Sequence, residues 1–285
     1  MAVFIHVIRH AQADHNVSGS GIADPPLNPA GMKECESLRI DTGVLIADRI
    51  VASPMNRTIM TAIHGVTQDP NRKVKIELMP ELQEISATPS CVGSPASELK
   101  KMYKDDDVDF EGLDEYWYIK DDNTPFAPDP AKVEQRAKLA RQKLRKIGRE
   151  EVARGNDNVH IAVVTHGEFV HWLTDDFIGF PVAGRNTGWS NCEARVYEIT
   201  NLDAEDDEDV VMVEVPQSRE RRLATDDGVD TPARRAEQAK EKETAKSYVM
   251  RHADIALMEQ AKTAWWNHWN QPSDVDDAAD DDDDE

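Results

Sequence analysis

Two histidines, two arginines and a glutamate, carried on four short segments, define the chemistry open to this sequence. The segments are Arg9-His10-Ala11-Gln12 with Asn16; Ser53-Pro54-Met55-Asn56-Arg57-Thr58 running on to Thr61-Ala62; Glu81-Leu82-Gln83-Glu84; and Thr165-His166-Gly167. Taken together they describe a phosphate pocket. Arg9 and Arg57 supply permanently charged planar forks that match phosphoryl oxygens. A histidine that attacks phosphorus must expose an unprotonated nitrogen while a neighbour holds the other nitrogen as a donor. His166 can add a further donor to the equatorial oxygens, where charge develops in the transition state. A leaving alkoxide needs a proton, and Glu84 is a suitable general acid, with Glu81 the nearby competitor.

Such a pocket needs elements that bring distant segments to one place. Ala2 to Arg9 reads as a buried strand leading directly into the polar loop with His10, Gln12 and Asn16. Pro25, Pro26, Pro29 and Gly31 punctuate the next stretch, and Asn28 is placed to cap a helix running to about Leu38. Residues 49–52 form a short apolar run that meets Ser53-Pro54, which predicts a helix with Ser53 as its cap and Pro54 first, ending near Val66. A further strand is expected at 74–79, a long helix from Pro130 to about Arg154, and a central strand over 159–164. The last turns through His166 into a helix from Glu168 to about Ile178, and two later strands are expected at 193–199 and 210–215. Three of the four segments thus stand where strands give way to loops or helices. In a parallel α/β sheet that is the ligand-binding edge.

The expected fold is therefore α/β, a three-layer sandwich with a mostly parallel central sheet, over residues 1–216. Residues 85–130, with Pro89, Pro95, Pro125 and Pro128, the acidic run at 105–107 and aromatics at 116–118, read as an insertion that covers the site and stands outside the sheet. Residues 217–272 read as a helical C-terminal extension; Tyr248, Met250 and the tryptophans 265, 266 and 269 give it a docking face. The stretch 273–285 holds nine acids and no base, and is expected to be disordered for want of anything to bury.

Composition narrows the partners. A net charge of −22 over 285 residues disfavours nucleic acid and anionic membrane surfaces. No apolar run is long enough to span a bilayer, and the N-terminus shows none of the features of a secretory leader. Three scattered cysteines, Cys35, Cys91 and Cys192, form no C-x-x-C pair, which fits a reduced cytoplasmic compartment. No cofactor and no metal are expected, because no clustered Asp, Glu and His set surrounds the four segments.

The same segments carry a resemblance. Arg9-His10-Ala11-Gln12 resembles the R-H-G signature of the histidine phosphatase (phosphoglycerate mutase-like) superfamily, branch 1. The run Ser53 to Thr58 with Thr61-Ala62 is similar to its S-P-x-x-R-[AT] segment, and Thr165-His166-Gly167 to its second-histidine segment. Asp24-Pro25-Pro26-Leu27 with Gly31 resembles its D-x-P-L…G loop. The resemblance covers residues 1 to roughly 200, with all four motifs in order. It implies His10 as the phosphorylated nucleophile, Arg9, Arg57 and His166 as the rest of the phosphate pocket, and Glu84 as proton donor. Gln12, Asn16 and Gly167 would be substrate-binding contacts on its wall.

The activity implied is hydrolysis of a phosphate monoester of a small metabolite, without a metal. The alternatives are mutase-type phosphoryl transfer, or a weakly active or recruited pocket serving binding or non-phosphate chemistry. The superfamily's mutases carry a basic R-E-R-R-Y-G run soon after the acid residue; residues 85–120 have only Lys100, Lys101, Lys104 and Lys120 as bases, which favours hydrolysis. Ala11 stands where the superfamily usually has glycine, a departure that matters if the position requires a positive φ. His6 and His171 read as packing residues, the role of His15 is open, and Cys91 reads as a small buried hydrophobe.

Overall fold

A computed structural model of the chain describes residues 1–19, 21–41, 47–66, 74–180, 188–222 and 231–251. Its centre is one seven-stranded sheet. The strands are β1 (Ala2–Arg9), β2 (Arg49–Ala52), β3 (Ile76–Leu78), β4 (Val108–Asp109), β5 (Asn158–Thr165), β6 (Ala194–Ile199) and β7 (Met212–Glu214), in the order β4-β3-β2-β5-β1-β6-β7. The first five are mutually parallel, and β6 and β7 close the other edge antiparallel. β1 and β5 pair over their full length, from Ala2 opposite Asn158 to Arg9 opposite Thr165. That register ends both strands together and sets His10 beside His166.

Both faces of a mostly parallel sheet must be covered, and alternation along β1 assigns its side chains to two layers. Val3, Ile5 and Val7, with Val159, Ile161 and Val163 of β5, pack under α5 (Pro130–Ala153) and α6 (Phe169–Thr174). Ala245 and Val249 of α8 (Pro232–Arg251) join that same cluster. Ile8, Ile50, Ala162 and Val164 pack on the opposite side, against Leu38 of α2 (Pro29–Asp41) and Ile59 and Ala62 of α3 (Asn56–Gly65). The result is the expected three-layer α/β sandwich. Three short helices complete it: α1 (Asp14–Ser18), α4 (Ala96–Met102) and α7 (Pro216–Arg221). No helix among the described residues is long and apolar enough to cross a membrane.

Several boundaries differ from the sequence reading for identifiable reasons. The insertion is not wholly outside the sheet: β4 pairs with β3 through Ile76–Val108 and Glu77–Asp109. A two-residue strand carries no periodicity, so no pattern could have announced it. Ser53 is not the cap of α3, which begins at Asn56 behind Met55. The backbone N–H of Ser53 is committed to Val164, and its hydroxyl meets His166. Asp24 does the capping from a distance, its carboxylate accepting from the Asn56 backbone N–H at 3.0 Å. The helix after His166 is shorter than expected, ending at Thr174 where Asp175 turns left-handed at φ 51°. Asn28 caps α2 as expected, with its side chain accepting from the Gly31 N–H at 2.9 Å. Residues 252–285, with the three tryptophans and the acidic tail, lie outside the described residues.

Gly31 is held by close approach. A Cβ there would lie 2.1 Å from the carbonyl oxygen of Gln12, a backbone atom that cannot swing aside. Gly31→Ala is therefore expected to lower stability by about 2 kcal/mol or more, as overpacking does, and to push on the loop that carries His10. A urea midpoint within error of wild type would show that the loop has more room than this contact allows.

Candidate active site

The carboxyl ends of β1, β2 and β5 deliver the site. His10 follows β1 directly, and its backbone N–H donates to the carbonyl of Thr165 at 2.8 Å, so the two strand ends are tied together at the rim. The imidazole is buried, 2% exposed. Its Nδ1 lies 2.7 Å from the carbonyl oxygen of Ala11. A carbonyl only accepts, so Nδ1 carries the hydrogen and Nε2 is left with its lone pair. Burial, then the charges of Arg57 and Arg9, hold the His10 pKa well below the ordinary histidine value, which keeps the ring neutral. This is the nucleophilic form that attack on phosphorus requires.

His166 faces His10 edge-on, ring centroids 5.3 Å apart. Its Nδ1 is 2.9 Å from Nη2 of Arg57 and its Nε2 is 2.9 Å from the Ser53 hydroxyl. Arginine can only donate, so Nδ1 accepts and the His166 proton resides on Nε2, toward Ser53. Burial, then Arg57, likewise push this histidine well below its ordinary pKa. Arg57 is 1% exposed; its Nη1 donates to the Ser90 carbonyl at 2.7 Å, which pins the insertion to the pocket floor. Arg9 donates to the carbonyl of Trp189. The Nε–H groups of Arg9 and Arg57 are both buried with no hydrogen-bond partner. Two unspent guanidinium donors beside a buried neutral histidine suit an anion.

Glu84 is also brought to the rim, between the 3₁₀ turn Pro80–Leu82 and the insertion. Its Oε1 accepts from the backbone N–H groups of Ile85 and Phe169, each at 3.0 Å, and its Oε2 from that of Glu168 at 3.3 Å. Glu81 points elsewhere, pairing with Lys143 on α5 at 2.7 Å. Gly167 lies in the turn between β5 and α6. Gln12 accepts from the Asn28 side chain at 3.0 Å, and its N–H donates to Glu34 at 2.7 Å. Asn16 accepts from the Ala13 N–H at 2.9 Å and, at 3.4 Å, from Asn191, whose amide also donates to the His10 carbonyl at 3.1 Å. Gln12 and Asn16 therefore brace the His10 loop. Ala11 is not among the residues with positive φ. Its methyl packs with Ala13, Leu27 and Cys35, so alanine in place of glycine adds buried apolar contact without backbone strain.

Some site residues escaped the sequence reading. Lys120 is buried and donates to the carbonyls of Glu84 at 2.5 Å and Ser86 at 2.8 Å; burial pulls its pKa down to about 7. Arg136 on α5 donates to the Gln83 carbonyl at 2.6 Å and stacks on Phe169. Both hold the Glu84 loop by its backbone, and an isolated lysine or one arginine on a charged helix gives no sequence signal of that. His15 lies with its ring centroid 5.6 Å from that of His10. His171 is buried, its Nδ1 2.7 Å from the Asp176 carbonyl, which makes it the packing residue expected. Cys91 is buried beside the Ser86 hydroxyl, 3.1 Å away. Among the described residues no group of three or more His, Cys, Asp or Glu side chains is placed to hold a metal ion.

Residues 5–205 match the family model of the histidine phosphatase superfamily, branch 1. The chain belongs to that superfamily. The match spans β1 through β6, and so includes every strand end that builds the pocket. Among solved structures, the chain is similar to Bacillus stearothermophilus YhfR at 20% identity, over 73% of this chain and 100% of that one, with a TM-score of 0.45. A phosphoglycerate mutase from Bacillus anthracis matches at 20% identity over 75% and 92% of the two chains, TM-score 0.46. A phosphoserine phosphatase from Entamoeba histolytica, solved with phosphoserine, matches at 16% over 73% and 94%, TM-score 0.41. No curated protein matches the sequence.

Proposed function

We propose that this histidine phosphatase hydrolyses a phosphate monoester of a small metabolite through a phosphohistidine on His10. The observation that carries the reading is the hydrogen bond from His10 Nδ1 to the Ala11 carbonyl, which leaves a neutral, buried Nε2 free to attack. Arg9 and Arg57 meet the phosphoryl oxygens through donors that have no other partner. His166 orients Arg57 and turns its Nε2–H toward the incoming phosphoryl group by releasing Ser53. The leaving oxygen takes its proton from the carboxyl group that Glu84 brings to the rim. Water then attacks the phosphohistidine and phosphate departs.

Hydrolysis is favoured over transfer because the insertion offers few cations for a second phosphate. Lys120 is spent on two carbonyls and Lys101 pairs with Glu98. All three cysteines are free thiols, which suits a reduced cytoplasmic setting. The test is phosphate release across a panel of phosphorylated metabolites, with and without EDTA. Turnover of at least one ester, unchanged by the chelator, is expected. A rate that collapses with EDTA and returns with a divalent ion would overturn metal independence. Transfer of the phosphoryl group to a second metabolite faster than to water would overturn hydrolysis.

A further inference from the structure

His15 stands on α1, in the loop that carries the nucleophile, and no step described above uses it. Of the five residues of α1 it alone is partly covered. The apolar Val17, two residues on, is 72% exposed. A surface turn governed by packing would cover its valine and leave its histidine in water, so packing does not account for this inversion. The covered ring lies against that of His10, centroids 5.6 Å apart and planes tilted by 44°. Arg9 and Arg57 are near enough to act on its charge, and it is near enough to act on His10 and His166. His15 therefore shares one enclosure with all four of these pocket groups.

The hydrogen bonds around His15 fix its tautomer. Asn16 Oδ1 accepts from the Ala13 backbone N–H at 2.9 Å, which sets the Asn16 amide one way round. Its amide nitrogen then donates to His15 Nε2 at 3.3 Å. A ring nitrogen that accepts carries no hydrogen, so the proton of the neutral imidazole is on Nδ1. Burial, then the charges of Arg57 and Arg9, push the His15 pKa down to about 2, which keeps the ring neutral. Nδ1 is buried and has no hydrogen-bond partner among the described residues. A buried donor left unpaired is costly, and a ligand that accepts from it removes the cost. We propose that His15 is a further phosphoryl-binding residue, giving its Nδ1–H to a phosphoryl oxygen of the ester held by Arg9 and Arg57 beside His10. This rests on the phosphatase reading above. With two arginines already in the pocket, a neutral N–H adds a donor without adding like charge. Asn16 is its positioning residue, because the amide that holds Nε2 as an acceptor makes Nδ1 the donor.

Two substitutions in the full chain separate the N–H from the ring. His15→Phe keeps a ring and removes the donor; His15→Asn removes the ring and puts an amide N–H close to where Nδ1 stands. Both should fold, since the rest of α1 is exposed, and urea midpoints check this. The readouts are kcat/KM for an alkyl phosphate and for 4-nitrophenyl phosphate, and the dissociation constant of orthovanadate, which mimics the phosphoryl group in transfer. His15→Phe should lower kcat/KM by about 10- to 100-fold and weaken vanadate by a similar factor, the scale of one hydrogen bond to a charged group. His15→Asn should recover most of that loss. The two esters should fall together, because the phosphoryl group is common to them, whereas loss of a proton donor spares the aryl ester. Wild-type rates and vanadate binding in His15→Phe would overturn the proposal. So would a loss in His15→Asn as deep as in His15→Phe at an unchanged urea midpoint, or a loss confined to the alkyl ester. The phosphatase reading survives each of these results. If wild type releases phosphate from no ester, that reading falls, and the donor stands only if wild type binds vanadate and His15→Phe binds it about 10- to 100-fold more weakly.

Discussion

His10→Ala is expected to abolish phosphate release, by on the order of 10⁶-fold, the scale seen when a covalent nucleophile is removed. The same change should eliminate an adduct that rapid quenching traps in wild type. That adduct should be a phosphoramidate, labile in acid and stable in base, which distinguishes it from a phosphoserine. No neighbour can take over. His166 has its Nδ1 lone pair turned toward Arg57 and its proton toward Ser53, and the His15 ring is tilted against that of His10 with centroids 5.6 Å apart. Arg57→Ala should slow formation of the adduct by about two to three orders of magnitude without removing it, because a donor to the transition state is lost while the bond-forming atom remains. Some of that loss will come from geometry, since Arg57 also ties Ser90 and His166 together. Turnover by wild type with no trapped adduct, or activity retained by His10→Ala, would place the nucleophile elsewhere.

The second large effect is on stability against acid. His6, His10, His15 and His166 are all depressed by burial and by neighbouring positive charge, His6 to about 3 and His15 to about 2. In the unfolded chain each would titrate near 6.5. Below that value the unfolded state binds protons that the folded state refuses, so stability is lost as pH falls. Each such histidine contributes up to about 1.4 kcal/mol per pH unit once pH is well below 6.5. Glu168 and Asp24 work in the opposite sense. Their raised pKa values let the folded state keep protons that the unfolded state has released, Glu168 across this whole range. The four histidines outnumber these two groups, so stability falls by on the order of 1 kcal/mol or more per pH unit between about pH 6 and 5, a large part of a typical domain's stability. Urea midpoints should therefore drop steeply from pH 7 to pH 5, and His10→Gln with His166→Gln should flatten the slope. A midpoint independent of pH over that range would mean that the site opens to water and the histidines protonate in place.

Local pattern was enough to read from the sequence the strand ends that bring His10 and His166 together. Strands β1 and β5 are mostly apolar runs that lead directly to His10 and His166, and an apolar run that stops at a polar group marks a buried strand's end. Four segments in order then implied the superfamily, and the Asn28 cap was legible because capping acts within three residues. Tertiary structure alone decided what depends on contacts between distant positions. Asp24, 32 residues away, caps α3 where Ser53 was expected to, because the Ser53 hydroxyl meets His166, 113 residues on. The Ala11 carbonyl fixes the His10 tautomer through a loop geometry that no residue pattern encodes. Glu84 and Glu168 become neighbours, and Tyr248 joins them from α8, only when three elements pack together. Burial is likewise a property of the assembled layers: it leaves His10 neutral and Lys120 near pH 7, and a side chain's type gives no notice of either. Sequence names the reactive groups through short-range chemistry; the fold sets their charge and partners, because desolvation and long-range contacts exist only once the layers have closed.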